Sequence, residues 1–107
     1  MLRLGAIVMK VGDVDRAAAF WSAALGYEKQ PSNPAFLVPD GAAGTRLHLD
    51  DEDSTHLDLW ADDDADQQAQ VERLISLGAR RVEWEYPDEA DFVVLADPDG
   101  NLFCVVA

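Results

Sequence analysis

The 107-residue sequence has one cysteine, eight basic residues and no apolar run of about 20 residues, the length that a bilayer-spanning helix needs. A single cysteine excludes an intramolecular disulfide. Eight Lys and Arg residues against 21 Asp and Glu give a formal net charge of −13, which disfavours binding to nucleic acid or to an anionic membrane. We therefore expect a cytoplasmic protein with neither kind of partner.

The two halves of the sequence repeat each other. At an offset of about 50 residues, a hydrophobic alternation that ends in aspartate recurs: Ile7, Met9, Val11 and Asp13 correspond to Leu57, Leu59, Ala61 and Asp63. The repeat also pairs Ala6 with His56 and His48 with Cys104. The length suits one domain over residues 1–107, with module one at about 1–53 and module two at about 54–107.

Hydrophobic periodicity predicts that each half contains a strand, a helix and three further strands. In the first half the predicted strands are 4–11, 27–30, 35–38 and 45–50, with a helix that begins after Asp13 and ends at Gly26 and a turn over 39–44. In the second half the strands are 55–60, 80–85, 92–95 and 102–106, with a helix that begins near 62–66 and ends at Gly78. The expected fold class is α+β, with two βαβββ modules that form a curved eight-stranded sheet with a central cleft.

Two of the predicted strands, 45–50 and 55–60, carry polar residues on one face and leucines on the other. The polar faces hold Arg46, His48 and Asp50 in one strand and His56, Asp58 and Trp60 in the other. A half-polar strand face commonly points to solvent, and this alternative stays open for each residue. The residue types, however, favour the lining of a pocket.

The order of the predicted elements, with the turn and helix-end residues between them, resembles that of the vicinal oxygen chelate superfamily. This superfamily includes glyoxalase I, extradiol dioxygenases and the bleomycin-resistance proteins. The similarity is to its compact glyoxalase-like branch, and it covers essentially the whole chain. The residues that carry it are Val11-x-Asp13, Ala19-Phe20-Trp21, Leu25-Gly26, His56-Leu57-Asp58-Leu59, Leu77-Gly78-Ala79, Asp97-Pro98-Asp99-Gly100-Asn101 and Phe103-Cys104. The resemblance implies a homodimer.

Metal-dependent members of this superfamily take their ligands from the first and last strands of each half. Carried over by position, the resemblance implies His48, His56 and Cys104 as ligands of zinc, nickel, manganese or iron. The fourth position is Ala6, which has no donor atom. Cys104 lies in the apolar run LFCVVA, where cysteine commonly acts as a small hydrophobic residue. We therefore expect no metal cofactor, with a divalent metal as the alternative.

Two functions from different classes follow from these residues. The first is a metal-independent protein that binds a small polar or aromatic molecule; its ligand-binding residues would be Arg46, His48, His56, Asp58, Trp60 and Cys104. The alternative is a divalent-metal-dependent lyase, isomerase or dioxygenase that uses His48 and His56. Whether the protein is an enzyme stays open, and a non-catalytic interaction module is a third hypothesis.

Overall fold

The computed structural model describes residues 2–40 and 44–107, within which there are eight strands and two helices. The strands are β1 (Arg3–Lys10), β2 (Glu28–Gln30), β3 (Asn33–Val38), β4 (Arg46–Asp50), β5 (His56–Trp60), β6 (Arg80–Arg81), β7 (Phe92–Ala96) and β8 (Leu102–Val106). The helices are α1 (Val14–Leu25) and α2 (Asp64–Ser76). The order strand, helix, three strands occurs twice, so the predicted α+β class with two βαβββ modules is confirmed. The turn expected over 39–44 includes residues 41–43, which lie outside the described residues.

Contacts divide the chain into two compact units. The first unit is Gly5–Thr55, and the second unit is the segment that ends at Leu4 together with His56–Ala107. No helix among the described residues has both the length and the hydrophobicity to cross a membrane, since α1 has 12 residues and α2 has 13.

In the first unit the strands are hydrogen-bonded in the order β2-β3-β4-β1, and β1 runs parallel to β4. Asp13 caps the N-terminus of α1 by accepting a hydrogen bond from the backbone N–H of Arg16 at 3.1 Å. Gly26 ends the helix in the left-handed region at φ 71°, as the sequence predicts. Helix α1 covers one face of the strands, where the buried residues are Ala18, Leu37, Leu47 and Leu49.

The second unit repeats this plan, with strands in the order β5-β8-β7-β6 and β5 parallel to β8. Asp63 caps α2, and the buried core between α2 and the strands consists of Ala61, Val71, Leu95 and Val105. Among the described residues of this unit, one polar side chain is buried. The amide of Gln67 on α2 donates hydrogen bonds to the carbonyl oxygens of Asp91 at 3.0 Å and Val105 at 2.8 Å.

The prediction of a strand over 80–85 is wrong about its length, because β6 contains only Arg80 and Arg81. These residues pair with Ala96 and Leu95 of β7, after which the chain leaves the sheet edge. The backbone N–H of Val94 then donates to the hydroxyl of Tyr86 at 2.8 Å. A side chain thus satisfies the edge N–H that a longer strand would have paired with.

Replacing Gln67 with alanine is expected to lower the free energy of unfolding by about 1–3 kcal/mol, because two carbonyl groups lose their buried amide donor. Gln68→Ala is the matched control, since Gln68 is the exposed neighbour in the same helix and the change in helix propensity is the same. Its effect should stay within about 0.5 kcal/mol. Urea unfolding measures both values, and equal losses for the two variants would contradict the bridging role of Gln67.

Candidate functional site

The candidate site lies on the face of the second unit that points away from α2. Phe103 and Val105 of β8 pack towards α2, so the residue between them, Cys104, points to the opposite face. Parallel pairing of β5 with β8 places Asp58 directly beside Cys104. His56 shares this face because it lies two residues before Asp58 on the same strand.

Three potential metal-binding side chains meet on this face. The Nε2 atom of His56 lies 3.3 Å from Oδ1 of Asp58, and the side chains are only 13% and 19% exposed. One donor atom from each of His56, Asp58 and Cys104 lies within 4.8 Å of the others. Cys104 is half-buried. We call His56, Asp58 and Cys104 the donor cluster.

Aromatic side chains lie beside the donor cluster on the same strand face. Trp60 is half-buried and pairs with Val106 of β8, which in turn pairs with Phe92 of β7. The ring of Tyr86 lies 5.5 Å from that of Phe92, between centroids, and Tyr86 is 44% exposed. The face therefore combines a polar centre with aromatic surface, which suits a small molecule that has both polar and planar parts.

The first unit has a polar strand face of its own, on the side opposite α1. His48 stacks on Phe36 of β3 with ring centroids 4.1 Å apart and an interplanar angle of 11°. On its other side, His48 pairs with Val8 of β1, which is buried. Arg46 is half-buried on the same face and pairs with Ala6.

Within the second unit the structure brings His56 and Cys104 together with Asp58. Within the first unit it places His48 and Arg46 on the polar strand face. Phe36 was not among the predicted site residues, since a phenylalanine between apolar neighbours has the sequence pattern of a core residue. The pairing of Phe36 with His48 places the phenylalanine ring on the polar strand face.

Comparison with known proteins identifies the family. The sequence model of the glyoxalase-like domain matches residues 6–106, which is nearly the whole chain. The chain belongs to the glyoxalase-like domain family. The expected membership of the vicinal oxygen chelate superfamily is therefore confirmed.

Solved structures of similar fold accompany this match. A glyoxalase/bleomycin resistance protein/dioxygenase superfamily member from Vibrio splendidus 12B01 is 18% identical, with a TM-score of 0.56 over 98% of this chain and 97% of that chain. A glyoxalase-related enzyme from Fulvimarina pelagi is 19% identical, with a TM-score of 0.44 over 97% of this chain and 86% of that one. An antibiotic-binding protein from Streptomyces sp. CB03234 is 24% identical, with a TM-score of 0.39 over 97% and 93%. No curated protein matches the sequence significantly.

Two of the positions that the superfamily resemblance implies lie in the first unit. Ala6 is fully buried and carries only a methyl group, and the ring of His48 is stacked on Phe36. The donor cluster, by contrast, offers an imidazole nitrogen, a carboxylate oxygen and a sulfur, and each of these is a known zinc ligand. The donor cluster is therefore a set of side chains within the second unit that fits a zinc ion.

The turn before β8 fixes the strand that carries Cys104. Asp97 accepts hydrogen bonds from the backbone N–H groups of Asp99 at 2.9 Å and Asn101 at 2.8 Å, and from the side-chain amide of Asn101 at 2.9 Å. Gly100 adopts φ 87°, which only glycine reaches without strain. The hydrogen bonds from the side chain and then the backbone of Asn101 lower the pKa of Asp97 below its ordinary value.

Asp97→Ala is expected to lower the Tm of the glyoxalase-like domain at pH 7, because the turn loses its acceptor. The pKa of Asp97 is lower in the folded than in the unfolded state, so its ionised form stabilises the fold above the unfolded pKa. This contribution disappears as the pH falls through the folded pKa, and the Tm difference should therefore shrink below about pH 4.

Asp99→Ala is the matched control, because it retains the backbone N–H that donates to Asp97 and removes only an exposed side chain. Its Tm should follow the wild type across the whole range from pH 7 to pH 3. Thermal unfolding followed by circular dichroism measures all three proteins. A Tm difference for Asp97→Ala that is constant with pH would contradict the role of the ionised carboxylate.

Proposed function

We propose that this glyoxalase-like domain binds a small polar or aromatic molecule on the strand face that carries the donor cluster and Trp60. Arg46 and His48, which the sequence also predicts as ligand-binding residues, lie on the polar face of the first unit. The proposal requires no metal, since the recognition groups are the side chains themselves.

The observation that carries the proposal is the burial of the His56–Asp58 pair. The carboxylate is 19% exposed and the imidazole 13% exposed, so both have lost most of their hydration. This desolvation is unfavourable in free energy, and a solvated surface pair avoids it. Their neighbours on the face include Val94 and Val106, which are apolar. Polar groups in such a position are typical of a site that recognises a ligand.

The chemistry of the face indicates the class of ligand. Asp58 accepts hydrogen bonds and favours a donor or a cation, and the net charge of −13 attracts cations at longer range. Trp60, Tyr86 and Phe92 supply aromatic surface for a planar group or for a cation above a ring. The preferred ligand is therefore a small molecule that combines a cationic or hydrogen-bond-donating group with a planar part.

The test is a thermal-shift screen of small cationic, polar and planar compounds, with bleomycin among them, in the presence of EDTA. A ligand at 100 times its Kd stabilises the fold by about 2.7 kcal/mol, which raises the Tm measurably. Titration calorimetry then gives the Kd of each hit. Asp58→Asn retains the size of the side chain but removes its charge, and we expect it to weaken binding of a cationic hit by about tenfold or more.

Asp53→Asn is the control, because Asp53 is exposed in the loop before β5 and the overall change in charge is the same. It should retain the wild-type Kd. If none of the compounds raises the Tm, the result favours the non-catalytic interaction module. If Asp58→Asn binds as tightly as Asp53→Asn, the ligand lies elsewhere and the proposed face is wrong.

A divalent-metal-dependent lyase, isomerase or dioxygenase is the second candidate, and the mutual approach of the three donors within 4.8 Å favours it. When bound, a divalent metal polarises a substrate oxygen. In this chain His56, Asp58 and Cys104 would hold the metal, and Trp60 would border the substrate. Repeating the screen with Zn²⁺ instead of EDTA separates the candidates, because compounds that bind only with zinc favour the metal-dependent function.

A further inference from the structure

We propose that His56, Asp58 and Cys104 form a three-ligand zinc site contained within the second unit. The superfamily resemblance implies a different set, in which His48 of the first unit is a ligand and Asp58 is not. The inference is independent of the proposed metal-free ligand binding, because each can hold without the other.

The strand geometry provides the spacing that a tetrahedral metal requires. Two ligand atoms of a tetrahedral site with bonds of ~2.0 Å stand about 3.3 Å apart. Nε2 of His56 and Oδ1 of Asp58 are separated by 3.3 Å. The sulfur of Cys104 belongs to the neighbouring strand at the same register as Asp58, and all three donor atoms lie within 4.8 Å.

The charges and the burial of the cluster also suit a divalent cation. With Cys104 as a thiolate, it and the Asp58 carboxylate carry two negative charges, which equal the charge of one zinc ion in magnitude. All three side chains are partly shielded from water, and the apolar residues Val94 and Val106 lie on the same strand face. A cation among them would compensate for the hydration that the two anions lose.

The types of donor select among metals. Sulfur and imidazole ligands favour zinc and cobalt over calcium and magnesium, which prefer sites made only of oxygen. Three protein ligands leave the fourth tetrahedral position for water or for a small ligand, as in catalytic zinc sites. A metal here would therefore keep one coordination position that a small molecule can occupy.

The experiment uses the full chain without an affinity tag, stripped with EDTA and then titrated with Co²⁺, which reports its ligands by absorption. A thiolate ligand gives a charge-transfer band in the near ultraviolet, and we expect saturation at one Co²⁺ per chain. One equivalent of Zn²⁺ should then displace the cobalt and remove the band.

The variants identify the ligands. Cys104→Ser should abolish the charge-transfer band. His56→Gln and Asp58→Asn should each weaken Co²⁺ binding by at least about tenfold, because even residues that only orient a metal ligand typically cost that much when they are replaced. His48→Gln is the matched control, since it makes the same change as His56→Gln in the first unit. It should retain the band and the stoichiometry.

A second measurement covers the case in which Cys104→Ser does not fold. In the wild type, Zn²⁺ should protect the single cysteine from alkylation by iodoacetamide, as followed by mass spectrometry, and EDTA should restore its reactivity. Three results would overturn the proposal: no bound Co²⁺, a band that persists unchanged in both His56→Gln and Asp58→Asn, or a band lost in His48→Gln. Because the thermal-shift screen is done in EDTA, its failure leaves the metal site unaffected, and the reverse also holds.

Discussion

In each half of this chain the first strand pairs in parallel with the last, and the site depends on this pairing. A parallel pair needs a long connection, which the helix and the two intervening strands provide. As a result, Asp58 and Cys104 lie side by side although 45 residues separate them in the sequence. The same arrangement sets Val8 beside His48 in the first unit.

The helices determine which face of these strands is covered and which face is left open to a ligand. Leu47 and Leu49 alternate with polar residues in β4 and are buried against α1, and Phe103 and Val105 of β8 pack against α2. The residues between them must then point to the other face. The polar faces are therefore a consequence of how each core is built, and the capped ends of α1 and α2 hold the helices over the apolar faces.

Much of this fold could be predicted from local sequence, since Asp13, Gly26 and the strand alternation act over a few residues. The length of β6 could not, because the hydroxyl of Tyr86 accepts the hydrogen bond of the edge N–H of Val94, and Tyr86 lies eight positions earlier in the irregular segment after β6. The composition of the site was predictable only in part. The repeat pairs His56 with Ala6 and Cys104 with His48 in the other half, but this equivalence gives no distance between His56 and Cys104. The neighbour of Cys104 depends on the register of β5 against β8, which the sequence pattern leaves undetermined.

The two-residue period of a strand explains how β5 can supply two donors. Every second residue of a strand lies on the same face, so side chains two positions apart point in the same direction. Asp58 stands in this relation to His56, and its carboxylate reaches the imidazole of His56 at 3.3 Å. The donor cluster is therefore compact because two of its members come from one strand. A site of this kind needs only one strand pairing to assemble, so the stability of β8, and of the Asp97 turn before it, governs its geometry directly.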